Sequence, residues 1–227
     1  MMIVIRLEAR EKLADRGGAP EGWKGGMADK TAHKERTRAR ILDEAAQALR
    51  MHGTDGVSVA GLMKRAGLTH GGFYAHFPSR DDLVAHAIDR MFQDSALLLD
   101  RFVGEEGGGG LAALIDYYLS ERALDMPEQS CPIPCLAGEA QRMPPAARAR
   151  FERGIADFRD AMARALEASH REDADDLAAS ILAEMVGAMA LARSFSDRSA
   201  AIGMLATSRA RLKLRVSAVN ARAKADR

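Results

Sequence analysis

Residues 57–77 read VSVAGLMKRAGLTHGGFYAHF, and this stretch decides the fold. Apolar residues at helical spacing (Val59, Leu62, Met63, Ala66) stop at Gly67, the chain turns, and a very short helix restarts and ends in aromatics. That is how a helix-turn-helix reads in sequence, a motif that pushes a small helix into a DNA groove. Gly67 suits the left-handed cap that ends a helix. Ser58 and Thr69 stand where a hydroxyl can cap the helix that follows. A DNA-binding regulator is the function these residues predict.

Outward from the motif the pattern stays helical. Ile41, Leu42, Ala45, Ala46 and Leu49 share one face of a preceding helix that ends near His52-Gly53. Beyond it, Pro78 breaks the short helix and Ser79 caps a long one with Leu83, Val84, Ala87, Ile88, Met91 and Phe92 along one stripe. The run EEGGGG at 105–110 reads as a flexible break. Helical patterns return over roughly 111–125, 135–142, 145–169, 173–195 and 198–220, with prolines punctuating the middle of the series. Strand-like alternation is missing, so the class is all-α: an N-terminal three-helix DNA-binding domain followed by a larger helical domain. The expected divisions are 1–28, 29–80 and 81–227. The first of these is glycine- and proline-rich around GGAPEGWKGG; it is either a disordered tail or an extension ahead of a start at Met27.

Global charge is uninformative, with 33 Lys+Arg against 32 Asp+Glu. Residues 29–80 carry a net +4 and residues 81–227 about −4, which fits one part facing phosphates and another facing something else. Neither a secretory signal nor a run of ~20 apolar residues able to span a bilayer is apparent. A cytoplasmic protein with no membrane partner is therefore expected. Glycine-rich phosphate loops, nucleophile elbows and helical HExxH motifs are all missing, which argues against an enzyme on a helical scaffold. Neither a cofactor nor a metal is implied.

Within the motif, Phe73 and Phe77 share a face and belong to the core. Tyr74 and His76 fall off that face as phosphate donors, and phosphate contacts fix register. Thr69 and His70 begin the short helix and are best placed for base edges. Each of the paired glycines Gly71 and Gly72 costs about 1 kcal/mol relative to alanine inside a helix. Close approach to DNA accounts for such a pair, and so does tight packing on the second helix; Gly71 is assigned to the first. Ser58, Lys64 and Arg80 can flank the groove as backbone contacts. The arm Lys30–Arg40, with Arg38 among its five basic residues, adds further phosphate donors.

The segment SVAGLMKRAGLTHGGFYAHFPSRDDLVAHAI resembles the DNA-binding domain of the TetR (tetracycline repressor) family. The resemblance rests on Gly67, Leu68-Thr69, Phe73-Tyr74, His76-Phe77 and Arg80-Asp81-Asp82-Leu83, and it is strong over 35–92. The departure is His70-Gly71-Gly72, where many members carry a serine and other small residues; it bears on the operator, not the fold. The resemblance implies a homodimeric repressor whose last two helices form a four-helix bundle with those of the partner. Two recognition helices ~34–36 Å apart would then read a pseudo-palindrome on double-stranded DNA. For the bundle, Leu177, Ile181, Met185, Ala188 and Ala192 trace a stripe on one helix, and Ile202, Leu205, Leu212 and Val216 another on the next. Ala183, Gly187 and Ala190 are small enough to allow close helix approach.

The resemblance also implies a small-molecule effector in the second domain. Candidates to line its pocket are Phe102, Tyr117, Tyr118, Met143, Phe151, Phe158, Met162 and Met189. Cys131-Pro-Ile-Pro-Cys135 is a separate question. Pro134 places Cys135 at a helix start, where the pair could sense oxidants or electrophiles. Free cysteines are equally at home as small buried apolar residues. Two sulfurs with no histidine nearby do not make a zinc site.

Overall fold

The computed structural model describes residues 25–103, 109–168 and 173–225. The chain divides into two units, one up to Thr37 and one from Arg38 onward. In the first, the described residues are helical and belong to α1 (Gly25–His52), with Asp29 and Arg36 exposed and 4.0 Å apart. The expected N-terminal extension up to residue 24, and residues 105–108 of the glycine run, lie outside the described residues.

The second unit holds the rest of α1, then α2 (Val59–Arg65), a 3-10 helix (His70–Ala75), α3 (Arg80–Val103) and α4 (Gly109–Tyr118). α5 (Glu121–Asp125), α6 (Ile133–Leu136), α7 (Pro145–Glu167), α8 (Ala174–Ser194) and α9 (Arg198–Ala225) follow, with 3-10 turns at Pro127–Gln129 and Ala137–Arg142 flanking α6. All regular elements among the described residues are helical, as the periodicity predicts. The continuous helix expected over 111–125 is broken. Ser120 donates to the Tyr117 carbonyl and accepts from the amide of Ala123, ending one helix and capping the next.

α3 packs on α7, α7 on α8 and α8 on α9, while α4 lies against α3 and α9. Where α3 meets α7, a Cβ added to Gly154 would stand 2.3 Å from the ring of Phe92. A mid-helix glycine is tolerated there because an aromatic ring occupies the place of its side chain. We expect Gly154→Val to lower the free energy of unfolding by about 1–3 kcal/mol in urea titration. An unchanged midpoint would mean that Phe92 swings aside freely.

α8 differs from expectation in one respect: by length and composition it could cross a bilayer. Its apolar character has a nearer cause. Leu177, Ala178, Ile181, Leu182, Met185 and Met189 are buried within the chain's own core.

Candidate nucleic-acid interface and effector cavity

Short-range caps build the motif. Ser58 accepts from the amide of Gly61 at 3.0 Å and starts α2. At its other end Gly67 takes φ +68°, while the Gly67 and Leu68 amides donate to the Lys64 and Met63 carbonyls at 3.1 and 2.8 Å. This is the Schellman arrangement, which closes a helix and turns the chain sharply. Ser79 likewise caps α3, accepting from Asp82 N at 3.1 Å. Thr69 does not cap; its hydroxyl meets no amide, and its carbonyl accepts from Gly72 N instead. The element that follows is a 3-10 helix ending at Ala75, not an α-helix reaching Phe77.

Phe73 and Phe77 are buried and stacked 5.8 Å apart, as expected of core. Residues three apart eclipse in a 3-10 helix, which aligns Gly71 with Tyr74. Tyr74 is 68% exposed, and a Cβ on Gly71 would meet nothing within 4 Å. Gly72 has ordinary room as well, its nearest neighbours being Met63 and Thr69 at 3.7 Å. Tight packing therefore explains neither glycine. Ser58, Lys64, Thr69 and His70 are exposed too.

Three other expected contacts sit differently. Arg80 donates through Nε to the Val57 carbonyl at 3.0 Å and through Nη2 to that of Thr54, so it fastens the α1–α2 turn to the start of α3. Arg38 lies over the Phe77 ring at 4.5 Å. His76 is half-buried with Nδ1 enclosed. For Arg80 and Arg38 a tertiary partner takes up a group that sequence alone presents as free for phosphate. Arg40, another of the basic arm, donates to the C-cap carbonyl of α2 at Ala66.

The expected dimer stripe is corrected in the same way. Leu177, Ile181, Met185, Ala188, Ala192, Leu205 and Leu212 are all buried inside this one chain and form its intramolecular core. The opposite face of the two helices is the open one. Ala183 and Ala190 are exposed, Leu191 is 53% and Leu214 61% exposed, and Cβ positions on Gly187 and Gly203 would meet nothing within 4 Å.

Of the eight residues expected to line an effector pocket, Tyr118, Met143, Phe151, Met162 and Met189 are buried core. Phe102 and Tyr117 are half-buried, with rings 5.6 Å apart. Phe158 lines a cavity of about 330 Å³ beside Phe92, Leu99 and Gly154. A larger cavity of about 540 Å³ involves none of the eight. It is walled by Arg50 and Met51 from the last turn of α1, by Leu124, Pro127, Pro134 and Cys135, and by Arg193, Phe195 and Arg198. Just beyond that turn, Glu139 Oε2 accepts from Thr54 N at 2.8 Å and from its hydroxyl at 2.9 Å. Gly53 (φ +68°) permits this approach, since a Cβ there would stand 2.0 Å from the same carboxylate.

The two cysteines differ. Burial pushes the Cys131 thiol up to about 11, and burial also raises the neighbouring Tyr118 hydroxyl well above its ordinary value. Cys135 lines the cavity and accepts from Arg193 Nη1 at 3.0 Å. Only a thiolate attacks an alkylating reagent, so iodoacetamide at pH 7.5 should label Cys135 well before Cys131. Cys131 labelling should rise about tenfold per pH unit until pH nears the Cys131 value. Peptide mass mapping reads both, and equal labelling at pH 7.5 would contradict the assignment.

Residues 41–87 match the family profile described as bacterial regulatory proteins, tetR family, and residues 110–201 match the C-terminal domain of LmrA/YxaF-like transcriptional regulators. Among solved structures, a TetR regulator from Chloroflexus aurantiacus superposes with TM-score 0.71 at 24% identity, covering 82% of this chain and 96% of that one. A TetR-family regulator from Agrobacterium tumefaciens gives 0.69 at 23%, covering 79% and 97%. The reduced form of NemR from E. coli gives 0.67 at 20%, covering 78% and 95%. No curated protein sequence matches the chain.

Proposed function

The chain belongs to the tetR family of bacterial regulatory proteins, and from that membership we propose a homodimeric, cytoplasmic repressor that reads a pseudo-palindromic operator and releases it when a small molecule binds. Residues 29–80 are its DNA-reading head and residues 81–227 its effector-binding and dimerising body. The firmest support is the tip of the motif. Two buried phenylalanines and a Schellman turn hold a six-residue helix whose own side, at Gly71 and Tyr74, is open to solvent. An exposed tyrosine on such a rigid base suits a surface that meets phosphate and base edges.

In this reading the partner seats on the open face of α8 and α9, with Ala183, Gly187 and Ala190 allowing close approach and Leu191 and Leu214 supplying apolar area. The effector signal passes through the end of α1. That turn walls the larger cavity, and the Gly53-Thr54 link that follows is held by Glu139. A thiol-triggered regulator of the same fold has one observation in its favour, the Arg193 donor at Cys135. Cys131, neutral at physiological pH, is a poor attacking thiol for it.

Sequencing the genomic fragments retained by the purified protein tests the central reading. An inverted repeat should emerge, and binding to it should fall steeply with salt, as phosphate-dominated interfaces do. Retention of no common sequence, or of one lacking two-fold symmetry, would count against it.

A further inference from the structure

The larger cavity carries an unbalanced charge. Of its three arginines, Arg50 faces Asp94 at 3.6 Å and also donates to the Met91 and Glu128 carbonyls at 3.4 Å. Arg198 is held by Glu121 at 3.0 Å and by Asp125. Arg193 differs. Its Nη1 donates to Cys135 Sγ at 3.0 Å, and its Nη2 to the Ala123 carbonyl at 2.9 Å and Ser130 Oγ at 2.7 Å. None of these acceptors is a carboxylate, and its buried Nε has no acceptor among the described residues. A cation half-buried at a cavity wall without a counter-charge is an unfavourable arrangement, and an anion entering that cavity relieves it.

We propose that the cavity between the end of α1, the 124–135 segment and the α8–α9 junction is a binding site for an amphipathic carboxylate. The guanidinium of Arg193 takes the carboxylate, by the charge-assisted bonds that make arginine the usual partner of that group. Met51, Leu124, Pro127 and Phe195 take the apolar body. The volume of about 540 Å³ lies in the range of small-ligand sites. As the effector site this rests on the ligand-responsive reading above; as a binding site it does not. The plain alternative is that Arg193 only braces the 123–135 segment at the C-terminal end of α8, where a cation is favoured by the helix dipole.

Cys135 supplies a reporter inside the cavity. In full-length protein, sodium octanoate at ten times its Kd should slow iodoacetamide labelling of Cys135 about tenfold, and octan-1-ol at equal concentration should protect far less. Arg193→Gln should raise the octanoate concentration for half-protection about tenfold or more, as loss of a charged hydrogen-bond partner does. Arg193→Lys, keeping the charge without the planar fork, should fall between, and Arg198→Gln should stay near wild type.

Equal protection by octanoate and octanol, or none by either, overturns the proposal, and so does unchanged protection in Arg193→Gln. A brace alone predicts that last result together with a lowered Tm. Should Arg193→Gln fail to fold, the octanoate–octanol contrast in wild type and the Arg193→Lys titration still decide. Operator release is scored separately: protection without release leaves the site standing and removes only the effector reading.

Discussion

Protein carrying Gly187→Trp and Leu191→Glu should elute as a monomer and bind its operator about 10²–10⁴-fold more weakly than wild type. That factor is what one module loses when a second, linked module no longer engages the same ligand. Both positions lie on the open face of α8. Leu191 is 53% exposed, and a Cβ on Gly187 would touch nothing, so the monomer itself loses no packing. Surface changes of this kind usually move stability by no more than about 0.5 kcal/mol. The contrast is Ile181→Ala on the opposite face, where the side chain is fully buried. It should cost about 2–5 kcal/mol of folding free energy and act through unfolding rather than clean dissociation. Analytical ultracentrifugation with thermal melts separates the two. A double variant that remained dimeric would send the interface to another surface.

The two faces of α8 and α9 show what sequence carries and what it withholds. Helical periodicity marks a buried stripe at Leu177, Ile181, Met185 and Ala188, and they are buried. It does not say whether the covering surface belongs to the same chain or to another, because burial against either removes the same apolar area from water. The stripe of large residues reads equally as an interface with a partner, yet it packs within the chain. The face left open is marked by small side chains, whose signal is spacing rather than hydrophobicity.

Caps, by contrast, are local. Ser58, Ser79, Gly53 and Gly67 act on backbone groups three to five residues away, and each is legible one window at a time. The cations are not. Arg80 meets carbonyls 23 and 26 residues away and Arg193 a sulfur 58 residues away. A basic residue near a DNA motif looks the same in sequence whether its donors face phosphate or a turn of its own chain. Thr69 fails for a subtler reason. Its backbone is extended as a cap requires, yet the turn that follows winds as a 3-10 helix and its carbonyl, not its hydroxyl, receives the first amide.

Gly71 gives the sharpest test of the DNA-reading surface, since stability and function should move apart. Its φ is not in the left-handed region, and a methyl there would meet no atom of the protein. Gly71→Ala should therefore leave folding stability unchanged or raise it by about 0.4–1 kcal/mol, through the narrower unfolded ensemble. Operator affinity should nevertheless fall, because the space that is open in the free protein is where backbone approaches DNA. Tyr74→Ala and His70→Ala should each weaken binding about tenfold, the value of a single good hydrogen bond to a charged or base-edge acceptor. Lys64→Ala should lower the slope of log K against log salt by about 0.9, having released one phosphate. Fluorescence anisotropy over a salt series reads all four. Gly71→Ala binding at wild-type strength would assign the glycine pair to neither packing nor DNA, and the tip would then contact the operator through Tyr74 and His70 alone.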